Sequence, residues 1–90
     1  MNRSDILAEA ERCITVDRAN IYGPAEDSFG LVAAFWSSHL DHPVNATDVA
    51  AMMALFKLAR IKGNPGHVDS WTDGIGYLAI GGELATEGRE

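Results

Sequence analysis

Asp69 and Asp73 are the residues of this chain best spaced for chemistry. Four positions apart, they share one face of a helix, and the same stripe continues as Tyr77, Ile80 and Leu84, which predicts that it faces inward. Two carboxylates at the mouth of an apolar stripe are costly unless something neutralises them. A divalent cation would do so, since Mg²⁺ takes oxygen ligands from one or two carboxylates together with a substrate phosphate. Cross-helix ion pairs would also do so. Lys57 and Arg60 stand before a short turn at 63–66 much as Asp73 and Asp69 stand after it, so an antiparallel helix pair would bring them together. The two arrangements are compatible, with a basic group holding a metal-binding carboxylate in place.

A second constellation surrounds the turn signal formed by Asn20, Ile21, Tyr22, Gly23 and Pro24. Arg18 could clamp a phosphate, and Tyr22 could stack on a base. Glu26 and Asp27 are candidate metal ligands in the first turn of a helix, where the dipole alone also favours carboxylates. Asn64 and His67 flank the mouth of the Asp69–Asp73 site and are candidate ligand contacts. His39 and His42 read as a solvated helix end, Trp36 and Trp71 as core anchors, and Met52 and Met53 as core or dimer seam. No phosphate-binding P-loop, dinucleotide glycine motif or nucleophile elbow is present, which excludes those nucleotide and hydrolase folds.

Four helices must position these groups. The first is expected over residues 4–17, with Ser4 as N-cap and Ile6, Leu7, Ala10, Cys13 and Ile14 at helical spacing. Pro24 opens the second, which carries Phe29, Val32, Phe35, Trp36 and Leu40 on one stripe and stops at His42 and Pro43. The third begins at Thr47 as N-cap, is apolar all round over residues 49–56, and turns basic at Lys57, Arg60 and Lys62. Gly63 is expected to end it as a left-handed cap. The fourth runs from His67 or Val68 to about Thr86, its glycines at 74, 76, 81 and 82 allowing close backbone approach. The expectation is a small all-α four-helix bundle forming one domain over residues 1–90.

Composition narrows the partners. The 90 residues carry a formal net charge of −6, which argues against a nucleic-acid partner, because a phosphate backbone needs a basic face. Cys13 is the single cysteine, so neither an intrachain disulfide nor a cysteine-based zinc site can form. No run of about 18 apolar residues exists to span a membrane, and the charged N-terminal stretch lacks a signal-peptide core. A cytoplasmic location is therefore expected. Residues 19–56 contain no Lys or Arg, and residues 28–56 hold only Asp41 and Asp48 as carboxylates. In a chain too small to bury all of that stretch, a homodimer or higher homo-oligomer is expected.

The spaced residues also carry a resemblance. Arg18, Tyr22, Gly23, Pro24 and Glu26, then Trp36 and Ser37, then Asp48, Val49, Ala50, Met52 and Met53, resemble a family of small phage and prophage proteins. Lys57, Arg60, Asn64 and Pro65 continue the likeness, as do His67, Asp69, Ser70, Trp71, Asp73, Gly76 and Tyr77, so it covers nearly the whole chain. More distantly, Asp69, Asp73, Tyr77 and Leu78 are similar to the last acidic motif of the MazG-like all-α nucleoside triphosphate pyrophosphatases. That resemblance implies a dimeric helical bundle in which carboxylates of neighbouring helices, here Asp69 and Asp73, hold Mg²⁺ for cleavage between the α and β phosphates. The chain departs from the pattern at the earlier Glu-x-x-Glu pair, since Phe29 follows Glu26 by three positions and Ala51 follows Asp48 by three.

Three readings follow. In the enzymatic one, Asp69, Asp73 and Glu26 or Asp27 position Mg²⁺ on a triphosphate, metal-activated water attacks phosphorus, and Lys57, Arg60 or Arg18 neutralise developing charge. In the second, the same pocket, with Arg18, Tyr22, Asn64 and His67, sequesters a nucleotide or nucleotide-derived signal without turnover, as an anti-defence sponge would. In the third, the acids are structural and the chain is an interaction module.

Overall fold

The computed structural model describes residues 1–17 and 24–86, apart from the side chains of Val16, Asp17 and Glu26. Helix α1 spans Arg3–Arg12 and runs into a π-helical turn, Cys13–Asp17. Helices α2 (Ala25–Leu40), α3 (Ala46–Gly63) and α4 (Val68–Thr86) follow, and no strand occurs among the described residues. The all-α bundle expected from the sequence is the fold.

Two helices start with the same device. Asn2 and Asn45 are the N-caps of α1 and α3, their side chains accepting from the backbone N–H of Asp5 (2.9 Å) and Asp48 (2.8 Å). Each aspartate returns the bond, accepting from the N–H of its asparagine at 3.1 Å. This reciprocal box satisfies two otherwise orphaned donors. Ser4 and Thr47 therefore lie inside their helices rather than capping them. Each is followed three positions later by Leu7 or Ala50, neither of which can close a box.

The helix ends also differ from expectation. Helix α2 stops at Leu40 because Asp41 adopts the left-handed conformation (φ 53°, ψ 44°), letting the N–H of His42 donate to Ser37 O at 3.1 Å. The Ser37 hydroxyl then fastens the α2–α3 link, accepting from Val44 N–H at 2.8 Å and lying 3.1 Å from Val44 O. At the end of α3, Gly63 stays helical and Asn64 closes the helix at φ −149°, its N–H donating to Arg60 O. The left-handed cap expected at Gly63 is absent.

The α3–α4 hairpin is the centre of the molecule. The short connection at 64–67 folds α4 back along α3, α1 and the π turn pack on α4, and α2 packs on α3. The core joins Phe29 and Ala33 of α2, Val49 and Ala50 of α3, and Ile80 of α4. Close approach does depend on glycine at two places. A Cβ at Gly76 would lie 2.7 Å from Ile14 Cγ2, and one at Gly81 would lie 3.0 Å from Ala50 Cβ.

The apolar stripe assigned to α2 is split. Phe29 is buried and Val32 and Trp36 are partly buried against the core, whereas Phe35 (65% exposed) and Leu40 face out. At 3.6 residues per turn, Phe35 lies roughly 120° around the helix from Phe29. Trp71 is also no core anchor. It stands at the surface, its indole N–H donating to Pro65 O at 2.9 Å. Met53 packs on the core, and Met52 is exposed.

Candidate functional site

Lys57 and Asp73 meet across the central hairpin, with Nζ 3.0 Å from Oδ2. The two side chains are 19% and 38% exposed, so the pair is only partly withdrawn from water. Gly74 follows Asp73, and a Cβ there would sit in ordinary contact, 3.6 Å from Lys57 Cβ. Asp73 also borders a small cleft of about 90 Å³ lined by Cys13, Ile14, Thr72 and Tyr77. The π turn thus completes a corner that α3 and α4 begin. The Tyr77 ring is tilted against Phe29, 6.2 Å between centroids, and Thr72 is buried with its hydroxyl donating to Asp69 O.

One of the two cross-helix pairs expected from the sequence forms. Asp69 is exposed one turn before Asp73, and its nearest basic neighbour is His67, with Nε2 4.0 Å from the carboxylate. Arg60 instead lies over the ring of Phe56, one turn earlier on its own helix, 4.9 Å from the centroid. Lys57 Nζ lies 5.8 Å from the same centroid. An exposed aromatic ring is thereby flanked by two cations on the last two turns of α3. Sequence reasoning passed over Phe56, although its spacing of four from Arg60 was the available signal.

The remaining candidates are dispersed. Asn64 ends α3 and accepts from His67 N–H at 3.2 Å, and both residues are exposed. Asp27 is exposed in the first turn of α2. Arg18 and Tyr22 lie outside the described residues, as does the side chain of Glu26. His39 and His42 are solvated, as expected. Among the described residues, no three His, Cys, Asp or Glu side chains stand close enough to hold a metal ion. Among the described side chains, Asp73, engaged by Lys57, and Asp69, facing solvent, are the carboxylates of this corner.

The opposite face of the hairpin holds a feature the sequence reading missed. A groove of about 390 Å³ runs between α3 and α4, bordered by small residues (Ala51, Ala54, Gly74), by Leu55, Leu58, Trp71 and Leu78, and by the stem of Lys57. Its signal was a second apolar series at helical spacing, 51, 54, 55 and 58 on α3 and 71, 75 and 78 on α4.

No helix among the described residues is long and apolar enough to cross a membrane. Residues 5–85 match the model of a family described as a domain of unknown function, DUF6378. The Gene 55 protein of Mycobacterium phage D29 is 42% identical over 72 residues, covering 80% of this chain and 48% of that protein. The Gene 55 protein of Mycobacterium phage L5 is 38% identical over 77 residues, covering 83% of this chain and 49% of the relative. The chain spans about half the length of these curated relatives. No solved structure matches it.

Proposed function

We propose, for a chain that belongs to the DUF6378 family and has relatives in mycobacteriophages, that it binds a nucleotide or nucleotide-derived ligand without turning it over. The observation that carries this reading is the Phe56 ring, 45% exposed, with Arg60 and Lys57 at 4.9 and 5.8 Å from its centroid. A base can stack on that ring, since every base has a π-face and aromatic stacking is worth about 1–3 kcal/mol. In this reading Arg60 and Lys57 turn from the ring to the phosphates of the stacked nucleotide. Asp73 acts as the positioning group, holding Lys57 across the hairpin rather than leaving it free in solvent.

Magnesium-dependent turnover fits this geometry less well. Asp73 would have to leave Lys57, and a third carboxylate would have to come from beyond the described side chains, such as Glu26. Binding therefore stands ahead of hydrolysis.

Calorimetric titration with nucleoside mono- and triphosphates, with and without Mg²⁺, tests the proposal. Binding is expected to weaken at least tenfold in Phe56→Ala, while the exposed site leaves the melting temperature nearly unchanged. A wild type that binds none of these ligands overturns the reading. Binding that is indifferent to Phe56, Lys57 and Arg60 does so as well.

A further inference from the structure

The hairpin α3–α4 is covered on one side by α1, the π turn and α2, and on the other by nothing in the chain's described residues. The bare side carries Leu55 and Leu78, each 63% exposed, Leu58 at 57% and Trp71 at 42%. A layer of helices with two apolar faces is stable only when both are buried. We propose that the bare face is the seat of a second copy of this chain, two α3–α4 hairpins meeting about a two-fold axis to form a four-helix core.

Three observations fit a second copy. The first is area. The chain exposes 6295 Å², whereas a folded monomer of its 9.7 kDa mass exposes about 5,100 Å². The surplus over the whole chain is roughly 1,200 Å², the order of what each partner gives up in an obligate homodimer, where the total is about 2,000–5,000 Å². The second is shape. Small residues (Ala51, Ala54, Gly74) and large ones (Leu55, Leu58, Leu78) lie in the same patch, so each copy offers both hollows and ridges to an identical partner. The third is charge. The groove's one ionic residue is Lys57, whose ammonium is already paired with Asp73 of its own chain, so two-fold pairing does not set bare like charges against each other.

Light scattering and sedimentation of the full chain at micromolar concentration should give twice the 9.7 kDa chain mass. Leu58→Glu and Leu78→Glu should each weaken association at least a hundredfold, and the milder Leu58→Ala at least tenfold. Phe35→Glu, on the outer face of α2, should leave the mass unchanged. If the glutamate variants fail to fold, wild type under dilution decides, because the melting temperature of such a dimer rises with protein concentration. A helical wild type that stays at the monomer mass overturns the proposal. A dimer that survives both glutamate variants, or one broken by Phe35→Glu instead, places the interface elsewhere and overturns it too.

Discussion

Lys57 shows how much of a site can be read from spacing. Its approach to Asp73 follows from the near-symmetric placement of acids and bases about the 64–67 connection, and the pair forms at 3.0 Å. The matching prediction for Arg60 and Asp69 misses, because pattern alone does not reveal the competitor. Phe56, one turn before Arg60, engages the guanidinium locally, and Asp69 at the start of α4 keeps its water. Asp73→Asn would leave Lys57 without its partner across the hairpin. Removing one partner of a fully buried pair costs about 3–5 kcal/mol, but both partners here retain solvent, so about 1–2 kcal/mol is expected in chemical denaturation. An unchanged midpoint would mean that the pair contributes no net stability. A second prediction concerns pH. The Arg12 guanidinium beside Glu9 holds its carboxyl below the ordinary glutamate range. The stability this adds is present above the unfolded pKa and is lost as pH falls through the lowered folded one. Glu9→Gln should thus differ slightly from wild type near neutrality and converge with it in acid, as melting curves across pH can show.

At the scale of elements, the sequence discloses the helices better than their ends or their contacts. Apolar periodicity and the breaks at Pro43 and Pro65 were enough to count them. Ser4 and Thr47 draw the cap assignment away from Asn2 and Asn45 because they are good capping types lying two positions past the asparagines that close the boxes. The glycines of α4 carried a general expectation of close approach, and only the fold shows which of them need it. Gly82 faces open space, so Gly82→Ala should raise stability by about 1 kcal/mol through helix propensity. Gly76→Ala would drive a methyl into Ile14 and should cost about 1–3 kcal/mol. Paired denaturation curves would reveal the opposite signs. A Gly76→Ala protein as stable as wild type would show that the π turn yields without cost.

For the whole molecule, the charge-poor stretch at 28–56 was visible in the sequence as core or interface, and the structure divides it. Phe29, Ala33, Val49 and Ala50 make the core, while Leu31, Phe35, Met52 and Leu55 remain outside. Periodicity could not separate these sets, because α3 is apolar around most of its circumference and only neighbours decide which side is covered. The candidate site was legible in part for a related reason. Lys57, Asp73 and the turn between them are close in sequence, whereas the corner with the π turn, and which side of the hairpin is left uncovered, depend on long-range packing.

The separation of charge from the bare face has a consequence for ionic strength. Each chain carries a formal net charge of −6, and the groove residues contribute almost none of it. Two such chains repel at long range before their apolar faces meet, and dissolved salt screens that repulsion over a Debye length of about 10 Å at 0.1 M. Association should therefore tighten as salt rises, chiefly through a faster on-rate, which is opposite to the behaviour of an interface held by ion pairs. Sedimentation across a salt series would test this directly, and a dimer that loosens in salt would point to ionic contacts as its cement.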